Sequence, residues 1–153
     1  MVEQFNRPMA EKQAEFDAAI ERGLDEEGIT DPGTRQQWRN SMTMMATGKG
    51  LAAGRQGENP NLNPYMIAGE YTGKPGTANE SNSTALGYFQ FLRQDSKGNL
   101  YSHDQYLPAE YKDNPYDSVG QVRQYIQAIT RGRYKGDMMG PIREKNNTGV
   151  WGP

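Results

Sequence analysis

The stretch from Asn63 to Leu92, NPYMIAGEYTGKPGTANESNSTALGYFQFL, decides how the rest of the chain is interpreted. Asn63 and Pro64 provide a helix start, because asparagine caps free N–H groups and proline at the first helical position has no N–H to lose. The glycine- and proline-rich residues 72–76 must end that helix. The pattern therefore predicts that Glu70 lies on a helical end beside an irregular loop.

The second half of this stretch is dense in apolar and aromatic side chains. From Ala85 to Leu92 only Tyr88 and Gln90 have polar side chains, and Gln90 is the one of these two that is not aromatic. This density predicts a buried strand or the start of a buried helix. A polar group in such surroundings needs a hydrogen-bond partner, so Gln90 either fixes the preceding loop or faces a ligand.

At these residues the chain resembles the lytic transglycosylases and the related goose-type lysozymes. Their pattern is a glutamate followed, after a loop, by Ser-x-x-Gly-Ala-x-Gly-Leu-Met-Gln. Glu70 matches the catalytic acid of the family, Gly87 and Gln90 match the end of the pattern, and Ser81 and Ala85 match its small residues.

The resemblance implies a mainly α (α+β) fold, a lysozyme-like helical domain with a small β-hairpin. Turn-forming residues at 93–99 lie between two short runs and predict that hairpin. We expect an N-terminal helical segment over 1–50 and the catalytic domain over 51–153.

The same resemblance implies cleavage of the β-1,4 bond between N-acetylmuramic acid and N-acetylglucosamine in peptidoglycan. Glu70 would donate the proton, and burial beside apolar groups would raise its pKa enough for this at neutral pH. Gln90 would orient the substrate, and Tyr88 and Phe89 would form the cleft floor. We also expect Ser81 at the substrate site. Tyr125 or Tyr134 would be the tyrosine that faces the substrate in this family.

Two chemical routes remain open at this stage. A lytic transglycosylase needs one glutamate, whereas most glycosidases add a second carboxylate as nucleophile or base. The only nearby candidates are Glu80 and Asp95, and loop acids are more often solvated than catalytic. The sequence therefore favours transglycosylation, with hydrolysis as the alternative.

Composition excludes several other classes of function. The 153 residues carry a net charge of −2, which argues against a nucleic-acid binder. There are no cysteines and only one histidine, so we predict neither a metal site nor a cofactor. We expect no membrane span and no signal peptide, which favours a phage virion component or a lysis protein held in the host cytoplasm before it reaches the wall.

Apolar spacing predicts helices at both ends of the chain. Residues 3–24 read as an amphipathic helix that Gly28 breaks, and a second helix begins at Asp31-Pro32. Trp38, Met42 and Met45 form a stripe on that second helix, which we assign to the core.

The clearest helix runs from about residue 116 to 131. Val119, Val122, Ile126 and Ile129 recur in it at steps of three and four. Near the end of the chain, we expect Trp151 to anchor the tail rather than to line a sugar site.

A second reading is a non-enzymatic virion protein with a vestigial lysozyme-like centre. Tyr71 stands where the family has serine, and Thr84 replaces a glycine. In that reading the N-terminal helix docks on other virion proteins.

Overall fold

The computed structural model describes residues 9–47, 87–89, 105–114, 117–148 and 151–152. Four α-helices lie in these ranges: α1 Met9–Glu26, α2 Pro32–Thr47, α3 Ser118–Arg131 and α4 Gly140–Thr148. A short 3₁₀-helix spans Ala109–Tyr111. The mainly α class is therefore confirmed for the described part of the chain, which contains no strand. The hairpin predicted at 93–99 lies outside it.

Local chemistry sets the helix boundaries where the sequence predicted them. Gly28 takes φ +72° just after α1 and lets Ile29 N bond to Leu24 O, which closes the helix end. Asp31 accepts a 2.8 Å hydrogen bond from the backbone N–H of Thr34 and caps α2. These two contacts confirm the predicted break and the predicted start.

Helix α3 begins one residue after its own cap. The Asp117 carboxylate accepts hydrogen bonds from Val119 N at 2.9 Å and Gly120 N at 3.1 Å. These two N–H groups have no partner inside the helix, so the aspartate stabilises its first turn.

The core forms where α1 packs along α3 and α2 packs against α4. Helix α1 contributes a stripe of apolar side chains, and the stripe on α2 is buried as predicted. The members of the core come from all four helices, from residues 88–89 and from the tail: Phe16, Ala19, Ile20, Leu24, Trp38, Met42, Met45, Ala46, Tyr88, Phe89, Val122, Tyr125, Ile126, Ala128, Ile129, Ile142 and Trp151. Side chains from both sides of residue 50 thus share one hydrophobic cluster.

The helices of the described ranges are too short or too polar for a bilayer. None of them combines the length and the hydropathy that a membrane crossing requires.

Candidate functional site

The structure describes three consecutive residues of the predicted site, Gly87, Tyr88 and Phe89, which form a turn. Glu70, Ser81 and Gln90 lie outside the described residues, as do the two candidate second carboxylates, Glu80 and Asp95. The geometry below therefore concerns this turn and the elements that hold it. We call residues 87–89 the motif turn.

Gly87 occupies a position that only glycine fits. Its φ of +75° is in the left-handed region, and a Cβ built on it would come within 2.1 Å of the side-chain oxygen of Gln121. The same oxygen accepts a hydrogen bond from Tyr88 N at 3.2 Å. Helix α3 therefore holds the backbone of the motif turn through one buried amide.

The amide of Gln121 is satisfied on one side only. Its oxygen accepts a hydrogen bond from Tyr88 N, but its Nε2 is buried with no hydrogen-bond partner among the described residues. An unsatisfied buried donor costs about 1–3 kcal/mol. Exchanging the amide oxygen and nitrogen of Gln121 would not remove this cost, because Tyr88 N would then lose its acceptor.

Helix α1 holds the same turn through Tyr88. The phenol ring packs edge-on against Phe16 with centroids 4.9 Å apart, and its hydroxyl donates to Glu15 at 3.1 Å. Ser118 Oγ at the start of α3 also donates to Glu15, at 3.0 Å. The carboxylate of Glu15 on α1 thus joins the motif turn to the first residue of α3.

The C-terminal tail provides a third attachment. The indole Nε1 of Trp151 donates to the carbonyl oxygen of Phe89 at 2.7 Å, and the ring is 1% exposed. The carbonyl oxygen of Gly152 accepts two hydrogen bonds from the Arg133 guanidinium, at 3.1 and 3.3 Å. The prediction that Trp151 anchors the tail is confirmed.

Three of the four predicted site aromatics that the structure describes lie in the core, and Tyr134 is partly buried against it. Tyr88, Phe89 and Tyr125 are at most 3% exposed, and the Phe89 and Tyr125 rings are 4.5 Å apart. This burial gives them a packing role. Their predicted contact with substrate stays a prediction.

Tyr125 uses its hydroxyl inside the protein. Ser41 Oγ donates to Met138 O at 2.9 Å, so the 2.8 Å contact between Ser41 and Tyr125 has the tyrosine as donor. Burial raises the pKa of Tyr125, which keeps the phenol neutral and able to donate. Tyr134 is half-buried, and its hydroxyl donates to Glu144 at 2.8 Å.

A charged cluster around Arg123 joins α3 to the C-terminal end of α1 and to the 3₁₀-helix. The guanidinium contacts Glu27 at 2.7 Å and both Glu26 and Glu110 at 3.1 Å, and it lies 5.7 Å from the ring centroid of Tyr111. Burial disfavours the charged form, but hydrogen bonds to Glu27 and Glu110 still raise the pKa of Arg123. The arrangement fixes three elements together.

A second ion-pair cluster ties α1 to α2. Glu21 receives two hydrogen bonds from Arg39, at 2.6 and 2.7 Å, and one from Arg35 at 3.0 Å. The hydrogen bond from Arg39 is the main cause that lowers the pKa of Glu21 to about 2. Both clusters stabilise the packing of α1 with its neighbouring helices, and α1 and α3 hold the motif turn.

Metal chemistry finds no support among the side chains that the structure describes. None of the groups of three or more histidine, aspartate or glutamate residues in these ranges is arranged to hold a metal ion. Glu26, Glu27 and Glu110 converge on Arg123, whose guanidinium already occupies the position a cation would take.

Sequence reasoning did not identify Glu15 or Gln121 as partners of the motif turn. Both are polar side chains on amphipathic helices, where such residues usually face water. The closest available signal was the need of a buried Gly-aromatic run for polar partners.

Comparisons with protein-family models, curated proteins and solved structures found no match to this chain.

Proposed function

We propose that this protein cleaves peptidoglycan at the β-1,4 bond between N-acetylmuramic acid and N-acetylglucosamine, as a lytic transglycosylase with Glu70 as general acid and base. The observation that carries the proposal is the order of residues from Glu70 to Gln90. The motif turn supports it, because the glycine of the pattern stands where a Cβ would collide with Gln121.

The chemistry requires one carboxyl group. Glu70 protonates the glycosidic oxygen, the bond from C1 of N-acetylmuramic acid to that oxygen breaks, and N-acetylglucosamine leaves with a 4-hydroxyl. The resulting carboxylate removes the proton of the 6-hydroxyl of the same N-acetylmuramic acid, and that oxygen bonds to C1. The product is a 1,6-anhydro sugar, Glu70 is protonated again, and no water is consumed.

The described scaffold is suited to hold such a site rigid. Gln90 follows Phe89, whose carbonyl is fixed by Trp151, and the backbone of Tyr88 is fixed by Gln121. Side chains placed accurately by their surroundings lower the cost of orienting a substrate. In our proposal Gln90 orients the sugar, Ser81 lies beside it, and the aromatic cluster of Tyr88, Phe89 and Tyr125 backs the cleft.

The remaining finer points belong to the same proposal. The fold is a lysozyme-like helical domain with a hairpin at 93–99, and the protein acts in the cell wall after a phage virion or lysis system delivers it. The exposed face of α1, which includes Glu11, Asp17 and Asp25, is acidic and available for contact with other virion proteins.

Clearing of purified cell walls tests the proposal. Wild type should lower the turbidity of a wall suspension, and Glu70→Gln should abolish this while keeping the helical circular dichroism. Glu11→Gln, on the exposed face of α1, is the matched control and should clear at the wild-type rate. Glycan binding without clearing by wild type would instead support the non-enzymatic virion reading.

A further inference from the structure

Positive charge is concentrated at the turn between α3 and α4. Residues 131–145 hold five cations and two acids, a local net charge of +3 in a chain of net charge −2. Residues 10–31, by contrast, hold eight acids and two cations, a net charge of −6. The molecule therefore has an acidic helix at one end of its sequence and a basic turn near the other.

Four of the five cations at this turn are exposed, whereas Lys145 is partly buried and its burial lowers the pKa of its ammonium group. Arg133 and Arg143 pair with Glu144 and Asp137 respectively, yet their side chains remain 48% and 60% exposed. Arg131 and Lys135 are exposed as well; Arg131 donates to the side-chain oxygen of Gln127 at 3.0 Å, and neither residue forms an ion pair within the described ranges. We call Arg131, Arg133, Lys135 and Arg143 the basic tip.

The backbone at the basic tip is better suited to glycine than to lysine. Lys135 has φ +53°, in the left-handed region that disfavours side chains with a Cβ. The adjacent Gly136 has φ +87° and open space around the position of its missing Cβ. Lys135 therefore does not favour the backbone conformation of this turn, and its ammonium group is exposed to solvent.

We propose that the basic tip binds a flexible, phosphate-bearing polymer of the cell wall. The four exposed cations of the basic tip can contact such a chain a few phosphates at a time. A DNA duplex is a poorer fit, since specific contact commonly neutralises 6–10 phosphates. Met139 lies within the segment 131–145 and is the one large apolar side chain exposed in the described part, so a lipid surface would gain only a single apolar contact and is a poorer fit.

This inference rests on the proposed function only for placing the protein at the wall. Binding to the polymer would raise the local concentration of enzyme beside its glycan substrate. The catalytic residues proposed above are not part of the basic tip, so binding and cleavage can be measured separately.

The test is fluorescence anisotropy of a labelled glycerol-phosphate polymer with the full-length protein. We expect wild type to bind, and the double variant Arg131→Gln/Lys135→Gly to bind at least tenfold more weakly, since one cation near an anionic surface contributes about fivefold. Lys112→Gln, which removes an exposed lysine outside the segment, should bind as wild type. The single variant Lys135→Gly should melt at or above the wild-type temperature, which excludes unfolding as the cause of its weaker binding.

The results that overturn the inference are equally specific. They are no binding by wild type at about 0.05 M salt, equal affinity of the double variant, or tighter binding to a short DNA duplex or to phosphatidylglycerol vesicles in the same buffer. Muropeptide release without polymer binding would overturn this inference alone. Polymer binding without release would overturn the proposed function alone.

Discussion

The indole N–H of Trp151 donates a 2.7 Å hydrogen bond to the carbonyl oxygen of Phe89. This contact crosses 62 residues of sequence and fixes the backbone immediately before Gln90. The tail also accepts hydrogen bonds from Arg133 at the carbonyl oxygen of Gly152. The C-terminal end is therefore part of the frame that holds the motif turn.

Replacing Trp151 with phenylalanine should loosen this frame. The variant loses the hydrogen bond and leaves the Phe89 carbonyl buried without its donor, so we expect a loss of about 2–4 kcal/mol in the free energy of unfolding. Trp38→Phe is the matched control, since both tryptophans are buried and pack edge-on against Tyr125, but Trp151 is the one of the two that donates to Phe89. Urea midpoints measure both, and equal losses would show that the hydrogen bond to Phe89 contributes little.

Alanine at residue 87 should be far more damaging than alanine at residue 28. Both glycines have positive φ, +75° and +72°, but the Cβ of Gly87→Ala would meet Gln121 whereas that of Gly28→Ala would meet nothing within 4 Å. We expect Gly28→Ala to cost about 1 kcal/mol from its backbone alone, and Gly87→Ala to cost about 2–3 kcal/mol and to slow wall clearing. The prediction is wrong if the two variants have the same urea midpoint.

Arg123 should be more important for stability than the other arginine that pairs with Glu26. Arg123→Gln leaves Glu27, whose side chain is 14% exposed, without its cation, and we expect a loss of about 2 kcal/mol. Arg22 is 72% exposed and pairs with Glu26 across one helical turn, so Arg22→Gln should change the urea midpoint little. A similar small effect of both substitutions would contradict a structural role for the cluster.

Acid should weaken the contact between α1 and α2. The folded-state pKa of Glu21 is about 2, below its ordinary value of 4.5, so the stabilisation is complete above about pH 4.5 and is lost as pH falls toward 2. The side chain is 45% exposed, which screens the interaction and limits the effect to about 1 kcal/mol. Urea midpoints from pH 6 downward should fall less for Glu21→Gln than for Glu11→Gln. Identical profiles for these two variants would exclude Glu21 as the cause.

Features set by neighbouring residues could be predicted from the sequence. Asp31 with Pro32 marked the start of α2, and the spacing of Trp38, Met42 and Met45 marked its buried face. Capping depends on residues within one turn, and a helix stripe depends on a fixed period, so both are visible in a single sequence.

Contacts between distant residues could not be predicted in the same way. Glu15 meets Tyr88 across 73 residues, and Gln121 meets Tyr88 across 33. No period or motif encodes such pairs, because they arise only when α1 and α3 pack together. The burial of Tyr125, by contrast, can be read from the sequence, because its spacing from Val122 and Ile129 places it on the buried stripe of α3.

The products released from purified peptidoglycan test the central claim most directly. Muropeptides from digestion by wild type and by Glu70→Gln are compared by mass spectrometry, with Glu11→Gln as the control. The account predicts 1,6-anhydro-N-acetylmuramic acid ends with wild type and the control, and none with Glu70→Gln. Reducing ends would indicate hydrolysis and a second carboxylate, and no release by wild type would contradict the proposed enzymatic function.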